Sequence, residues 1–331
     1  MTTLWFWTLA AMFTAYAVLD GYDLGVGVAH LGLARNRGER ARLLAAIGPV
    51  WNANEVWLLA AGGMMVMAFP RLYAAAFSGF YLALILVLWL LVLRGVSIEV
   101  RGQFAHPMWN DFWDAVFSLA SLLLALLLGV ALGNVVRGLP IGANGFFQGS
   151  FAVLLNPYAV LIGLLSVVVL SWHGVNFLRG KTEGELQARL GRAAAAGWWL
   201  VAAAIAAATA ATFATGVDPL LRLRRLPAGA MFPLLVVAGL ILSRRAPRAF
   251  TGSSLVIVGL MGTAATTLFP RLLPSTLDPA FSLTTANAAT SAYGLRVAWI
   301  GNALALTAVA AYRFYIHRVF RGPAAGGYEH D

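Results

Sequence analysis

The sequence predicts an all-α polytopic membrane protein with about nine transmembrane helices. Three observations carry that expectation. Of the 331 residues, 60% are hydrophobic and only 11% are charged, against about 25% charge in a soluble domain. The mean hydropathy is +0.79. Residues 74–93 and 115–136 hold no charged side chain, and about 20 apolar residues suffice to cross a bilayer as a helix.

The spans follow in order as 4–33, 47–68, 74–93, 113–136, 152–177, 193–215, 228–243, 250–269 and 293–316. The first carries Gly21, Gly25 and Gly27 and is longer than a bilayer requires, which predicts tilt or projection beyond the core. It opens on MTTLWFWTLAAMF without a basic segment and reads as a helix, not a cleaved signal. The seventh is short and interrupted by Pro233. Residues 1–321 read as one transmembrane domain, with halves at 1–140 and 150–290 followed by the last helix at 293–316. Residues 322–331 read as a disordered tail. The tetrapeptide FPRL recurs at 69–72 and 269–272, a short match that gives an internal duplication only slight support.

The net charge of +10 follows from topology. With the N-terminus outside, sixteen of the 23 Lys and Arg fall on the cytoplasmic side, as the positive-inside rule requires. The C-terminus is then cytoplasmic; the other seven are Arg71, Arg137, Arg222, Arg224, Arg225, Arg271 and Arg296, the last near a helix start, and the cluster at 222–225 is the outlier. Basic loops facing an anionic leaflet need no nucleic acid as partner. The chain has no cysteine, which excludes thiolate metal sites, iron–sulfur clusters and c-type haem attachment on it.

Charges inside the bilayer are costly, so each intramembrane acid is a functional candidate. Asp20 and Asp23 lie three apart on one helix face, with His30 seven residues beyond Asp23 on the same face. The second span brings Asn52 and Glu55, flanked by Trp51, Asn54 and Trp57. Counted from the basic 35–42 segment that joins the two spans, Asp23 and Glu55 sit about 15 Å and about 12 Å deep at 1.5 Å per residue. They are expected to face each other, with His30 nearer the cytoplasm, an order suited to a proton relay. The alternative is a polar lock, in which the same groups hold two helices together and burial keeps one carboxyl protonated. Arg94, Glu99, Arg101, Asp111 and Asp114 lie on the third-to-fourth connection. Arg94, Glu99 and Arg101 read there either as an ion-pair clamp at the cytoplasmic surface or as a solvated loop. The five histidines do not suggest a haem pair, since His30 and His173 lie near span ends and His106, His317 and His330 in or beside loops and the tail. The eleven Trp read as an interfacial belt, with a quinone groove near Trp51 and Trp57 as the functional alternative.

Several long segments carry a family resemblance. They are YAVLDGYDLGVG (16–27), GPVWNANEVWLLAAGG (48–63), FPRLYAAAFSGFY (69–81), LRGVSIEVRG (93–102), GVALGNVVRGLP (129–140), LLNPYAV (154–160), KTEGEL (181–186) and LPSTLDPAFSLT (273–284). Together they resemble subunit II of cytochrome bd-type quinol oxidases, in order over nearly the whole chain. The resemblance implies two four-helix bundles plus one peripheral helix in a bacterial or archaeal cell membrane. It also implies a partner subunit I that carries the b- and d-type haems and oxidises quinol, and an activity that reduces oxygen to water with cytoplasmic protons. This chain would then hold no catalytic residue, no metal and no haem. A structural quinone, surrounding lipids and a small single-helix subunit are the further ligands and partners implied. Asp20 and Asp23 match the acids of the family's DG-[FY]-D motif, and Trp51, Asn54 and Trp57 match their positions. Asn52 stands where the family typically has the Asp of the proton path. Either Glu55 takes that role, or protons enter mainly through subunit I. The competing classes are a secondary transporter or ion channel using the same carboxylates, and a structural scaffold.

Overall fold

A computed structural model describes residues 1–217 and 226–319, with backbone alone at 313, 314, 316 and 317. Residues 222–225, His317 and the 322–331 tail, on which expectations were stated above, therefore lie outside what is described. Twelve α-helices are present among the described residues: α1 (Thr2–Leu33), α2 (Arg37–Ile47), α3 (Trp51–Ala68), α4 (Pro70–Gly79), α5 (Tyr81–Val100), α6 (Pro107–Arg137), α7 (Phe151–Leu154), α8 (Pro157–Arg179), α9 (Gly184–Ala214), α10 (Met231–Ser243), α11 (Ala249–Leu268) and α12 (Ala292–Val319). Seven of the segments are long and apolar enough to cross a membrane: α1, α5, α6, α8, α9, α11 and α12. The other two predicted spans are α3, whose first turns carry Asn52, Asn54 and Glu55, and the shorter 227–243 segment.

Helices α1, α3, α5 and α6 pack together as one bundle. Helices α8, α9, α10 and α11 form a second, and α12 lies at the periphery against α3. The bundles meet along α1 and α6 on one side and α8 on the other. Residues 20–27 of α1 are buried all round, because neighbours cover that stretch on every side. Close approach is set by small residues. A Cβ on Gly25 would overlap the Leu170 carbonyl, and one on Gly174 would strike the backbone at Gly25. Gly129 and Gly133 of α6 lie in the same way against α8, and Gly239 against Gly252 at the α10–α11 crossing.

Three elements depart from expectation. Residues 37–47, expected as a basic loop, form a helix with Asn36 as its N-cap. That shortens the following span, so Glu55 is the fifth residue of α3. The third span runs over 81–100 instead of 74–93, with 70–79 a separate helix. Its extension past Arg94 is permitted because acids on two other helices neutralise that side chain.

Opposite the α2 end, the 138–150 and 269–291 segments close over the bundles. Here β1 (Arg271–Leu273) pairs antiparallel with β2 (Leu283–Thr284). The Arg71 guanidinium donates to the Asn287 carbonyl at 3.0 Å, and Thr290 N–H donates to the Ala68 carbonyl at 3.0 Å. Both FPRL segments contribute to the apolar cluster at this end, through Phe69, Leu72, Phe269 and Leu272.

Candidate functional site

The central stretch of α1 places Asp20 and Asp23 where α3 and α5 converge. Arg94 of α5 donates through one Nη to Asp20 at 2.7 Å and to Glu55 of α3 at 3.0 Å. The Asp20 and Arg94 side chains are fully buried, and Glu55 is 20% exposed. One helical turn along α1, the Asn54 amide donates to Asp23 at 2.8 Å and to the Tyr22 hydroxyl at 2.6 Å. The Tyr16 hydroxyl lies beside Asp20 and Arg94. Several buried atoms here have no hydrogen-bond partner within the chain: Tyr16 OH, Asp20 Oδ2, Asn54 Oδ1, and Nε and one Nη of Arg94.

Nearer the α2 end, a second cluster centres on Asp114 of α6. Its carboxylate meets His30 Nε2 at 2.8 Å, Arg101 Nε at 2.5 Å and Arg40 at 3.4 Å. His30 and Asp114 are fully buried, with the His30 ring edge-on to Phe117. Arg40 and Arg37 also reach Asp111, at 3.1 and 2.7 Å. At the same end, Arg189 of α9 pairs with Glu39 and donates to the Leu33 carbonyl. Glu39 also accepts from the Arg35 N–H, while its own N–H is held by the Asn36 side chain, a variant of the capping box. The Arg189 hydrogen bond holds the Glu39 carboxyl below the usual carboxylate range.

These contacts revise the predicted site in four places. Asp23 faces Asn54, not Glu55, because residues one apart on a helix point about 100° apart and only one can meet a given neighbour. Glu55 instead shares Arg94 with Asp20. Arg94 and Arg101 do not act as one surface clamp: Arg94 is buried in the bilayer-spanning part of α5, and Arg101 binds Asp114. Asn52 lies on the exposed side of α3, turned away from these clusters, in line with Val56 and Leu59.

Sequence reasoning grouped Asp114 with the third-to-fourth connection, at the very start of the fourth span, and gave it no role, although its place in the first turns after Pro107 marks a helix N-terminus. It weighed His173 only as a haem ligand near a span end and gave it no other role. That ring is fully buried and stacked on Phe250, with Nδ1 2.7 Å from the Ser253 hydroxyl and Nε2 3.0 Å from the Val18 carbonyl. No local pattern marks it, since its partners lie 80 and 155 residues away. Among the described residues, no group of three or more His, Asp or Glu is placed to hold a metal.

An apolar cavity of about 390 Å³ lies between α1, α6, α8 and α11, lined by Phe6, Phe13, Leu24, Leu128 and Met261 among others. Trp51 and Trp57 do not line it. The Trp51 ring packs on Gly95, and Trp57 borders the apolar cluster at the opposite end.

The whole described architecture has known counterparts. It superposes on a chain of the bd oxidase from Geobacillus thermodenitrificans with a TM-score of 0.74 at 16% identity, covering 96% of this chain and 98% of that one. The cytochrome bd ubiquinol oxidase subunit 2 of Bacillus subtilis is 34% identical over 324 residues, covering 96% of this chain and 95% of the relative. The cytochrome bd-I ubiquinol oxidase subunit 2 of Escherichia coli K12 is 33% identical over 336 residues, covering 90% and 88%. Residues 1–320 match the family described as cytochrome bd terminal oxidase subunit II. The buried acids and arginines thus sit in a multi-pass membrane subunit of an oxidoreductase complex, and the chain belongs to the cytochrome bd terminal oxidase subunit II family.

Proposed function

We propose that this chain is the haem-free second subunit of a membrane quinol:oxygen oxidoreductase. It supports a larger subunit I and contributes a cytoplasmic path for protons. The observation that carries the reading is the file of buried groups along α1. It starts at His30 and Asp114, continues through Asp23 and Asn54, and ends at Asp20, Arg94 and Glu55. Such a file is costly in a bilayer unless its groups pair or carry protons. Arg94 pairs with both Asp20 and Glu55, while Asp23 accepts from the neutral Asn54 amide, which also donates to the Tyr22 hydroxyl. The buried polar atoms left unpaired within the chain supply the partners that ordered water requires, and water is what a proton needs between side chains.

The haems of subunit I supply the redox chemistry. Both ring nitrogens of His173 are engaged within the chain, and His30 is held by Asp114. The apolar cavity between the bundles has the size and lining expected for a ligand pocket, which suits the tail or ring of a structural quinone. The basic residues of α2 and of the 101–106, 179–192 and 244–248 segments support an outside N-terminus. Asn52, on the open side of α3, is positioned to act at a partner's surface and not within this chain.

The test uses the two-subunit oxidase in liposomes, following oxygen consumption and charge movement together. Asp23→Asn is expected to lower charge-coupled turnover at least tenfold, with assembly and haem spectrum unchanged. Loss of assembly would favour the polar lock. Unaltered charge movement would remove Asp23 from the path. Asn52→Asp without any change in turnover or charge separation would assign proton entry to subunit I.

A further inference from the structure

A second concavity, of about 740 Å³, opens at the α2 end but on the other bundle. It is framed by the last turn of α8, the 180–183 turn, the start of α9 and the 246–248 turn before α11. Its polar wall is Asn176, Arg179, Lys181 and Gln187, and Phe177 and Phe250 line the apolar side. The wall is braced from within. Arg179 donates to the buried Asn176 side chain at 3.4 Å, and Gln187 donates to the Arg179 carbonyl at 2.9 Å. Burial lowers the affinity of the Lys181 amine for its proton, a cost that an adjacent anion relieves. Arg245 and Arg248 flank the 246–248 turn and are exposed, and Arg244 stacks on Trp198 at 4.1 Å. The acids nearby are Glu183 and Glu185, both exposed at the start of α9. Cations therefore outnumber acids around the opening.

The surroundings select among anions. Leu200 on α9 and Val237 and Ile241 on α10 are exposed apolar side chains on the neighbouring helices. Trp198 and Trp199 mark the interfacial level beside them. A soluble anion would use the charges and leave the apolar wall and flank idle. A phospholipid uses both: a headgroup phosphate at Arg179 and Lys181, glycerol against Phe177 and Phe250, and acyl chains along α9 and α10. Basic pockets between transmembrane helices hold anionic headgroups in this way. We propose that this pocket is a binding site for the phosphate headgroup of an anionic phospholipid. The assignment rests on the oxidase reading only for the leaflet that supplies the lipid, because the pocket chemistry is the same in either orientation.

The test is native mass spectrometry of the purified, delipidated two-subunit complex. It is titrated separately with phosphatidylglycerol, phosphatidylcholine and inorganic phosphate. Wild type is expected to retain one phosphatidylglycerol in preference to phosphatidylcholine. Arg179→Ala with Lys181→Ala should weaken retention about 30-fold, the effect of two headgroup contacts of ordinary strength. Ala188→Trp keeps every charge and fills the pocket beside Gln187, and it should also weaken retention about tenfold or more. It serves as a second reading should the double variant fail to assemble. The proposal is overturned if both variants retain phosphatidylglycerol like wild type, or if phosphatidylcholine binds equally well. It is also overturned if inorganic phosphate displaces the lipid, since the site would then be one for free anions. The haem spectrum of the same samples reports the state of the oxidase independently of lipid retention.

Discussion

Replacing Asp20 by Asn would leave the fully buried Arg94 guanidinium against Glu55 alone. Removing one partner of a buried ion pair costs about 3–5 kcal/mol, because the remaining charge stays buried. Asp20→Asn is therefore expected to lower the thermal stability of the complex by about 3 kcal/mol. Glu55→Gln should cost less, because Glu55 is partly exposed and Arg94 keeps Asp20. Arg94→Gln combined with Asp20→Asn should cost clearly less than the sum of the single changes. Calorimetry of the four proteins decides this, and additive losses would mean that the two side chains are not coupled. At the surface, Glu39 makes a pH-dependent contribution. Its folded-state affinity for a proton lies below the ordinary carboxylate value, so its stabilisation is complete above the unfolded value. That stabilisation is lost as pH falls below about 4 towards the folded value. Glu39→Gln should be less stable than wild type at neutral pH and converge with it in acid. Melting curves that stay parallel at every pH would show that the pair with Arg189 contributes nothing.

At the scale of helices, the crossing of α1 over α8 depends on hydrogen at Gly25 and Gly174. Gly25→Leu should prevent the bundles from docking, seen as loss of assembled complex after membrane extraction. Gly32, near the end of the same helix, has open space where a Cβ would stand. Gly32→Ala should therefore be tolerated or stabilising, by up to about 1 kcal/mol. Equal yields for Gly25→Leu and wild type would contradict the packing. The seven long apolar helices of the described residues were legible in the chain as apolar runs, yet the bounds of α5 and the presence of α2 were not, for physical reasons. Hydropathy registers Arg94 as a charge that ends a helix. Its neutralising partners lie 74 and 39 residues away and are invisible to any local window. Helix α2 is short and its first turns are polar, with its buried Leu43, Leu44, Ala46 and Ile47 all in the second half, so hydropathy reads it as loop. The signal that identifies it is Asn36 followed three residues later by Glu39. The pair Asp20 and Asp23 was legible from spacing, whereas the choice of Asn54 over Glu55 as the neighbour of Asp23 depends on the rotation of α3, which the sequence does not encode locally.

For the molecule as a whole, the excess of basic residues at the α2 end is the property most directly open to test. The chain has no cysteine, so a single introduced thiol is the only one that this chain presents to a reagent. Ala143→Cys, in the 138–150 segment, should react with a membrane-impermeant maleimide in sealed cells. Gln103→Cys should react only after the membrane is opened. The reverse pattern would invert the proposed orientation. The contacts that close the basic end also impose an order on biosynthesis. Glu39 and Arg189 are 150 residues apart, which at about 5–20 residues per second is roughly 8–30 s of translation. Throughout that interval α2 has left the ribosome and its partner on α9 does not yet exist. The bonds that Glu39 makes to its own helix start, through the Asn36 side chain and the Arg35 N–H, are available at once. They keep the segment folded at the membrane surface until α9 arrives, a little past the middle of the 331-residue chain, so the helix cap serves as a temporary latch until its partner on the second bundle is made.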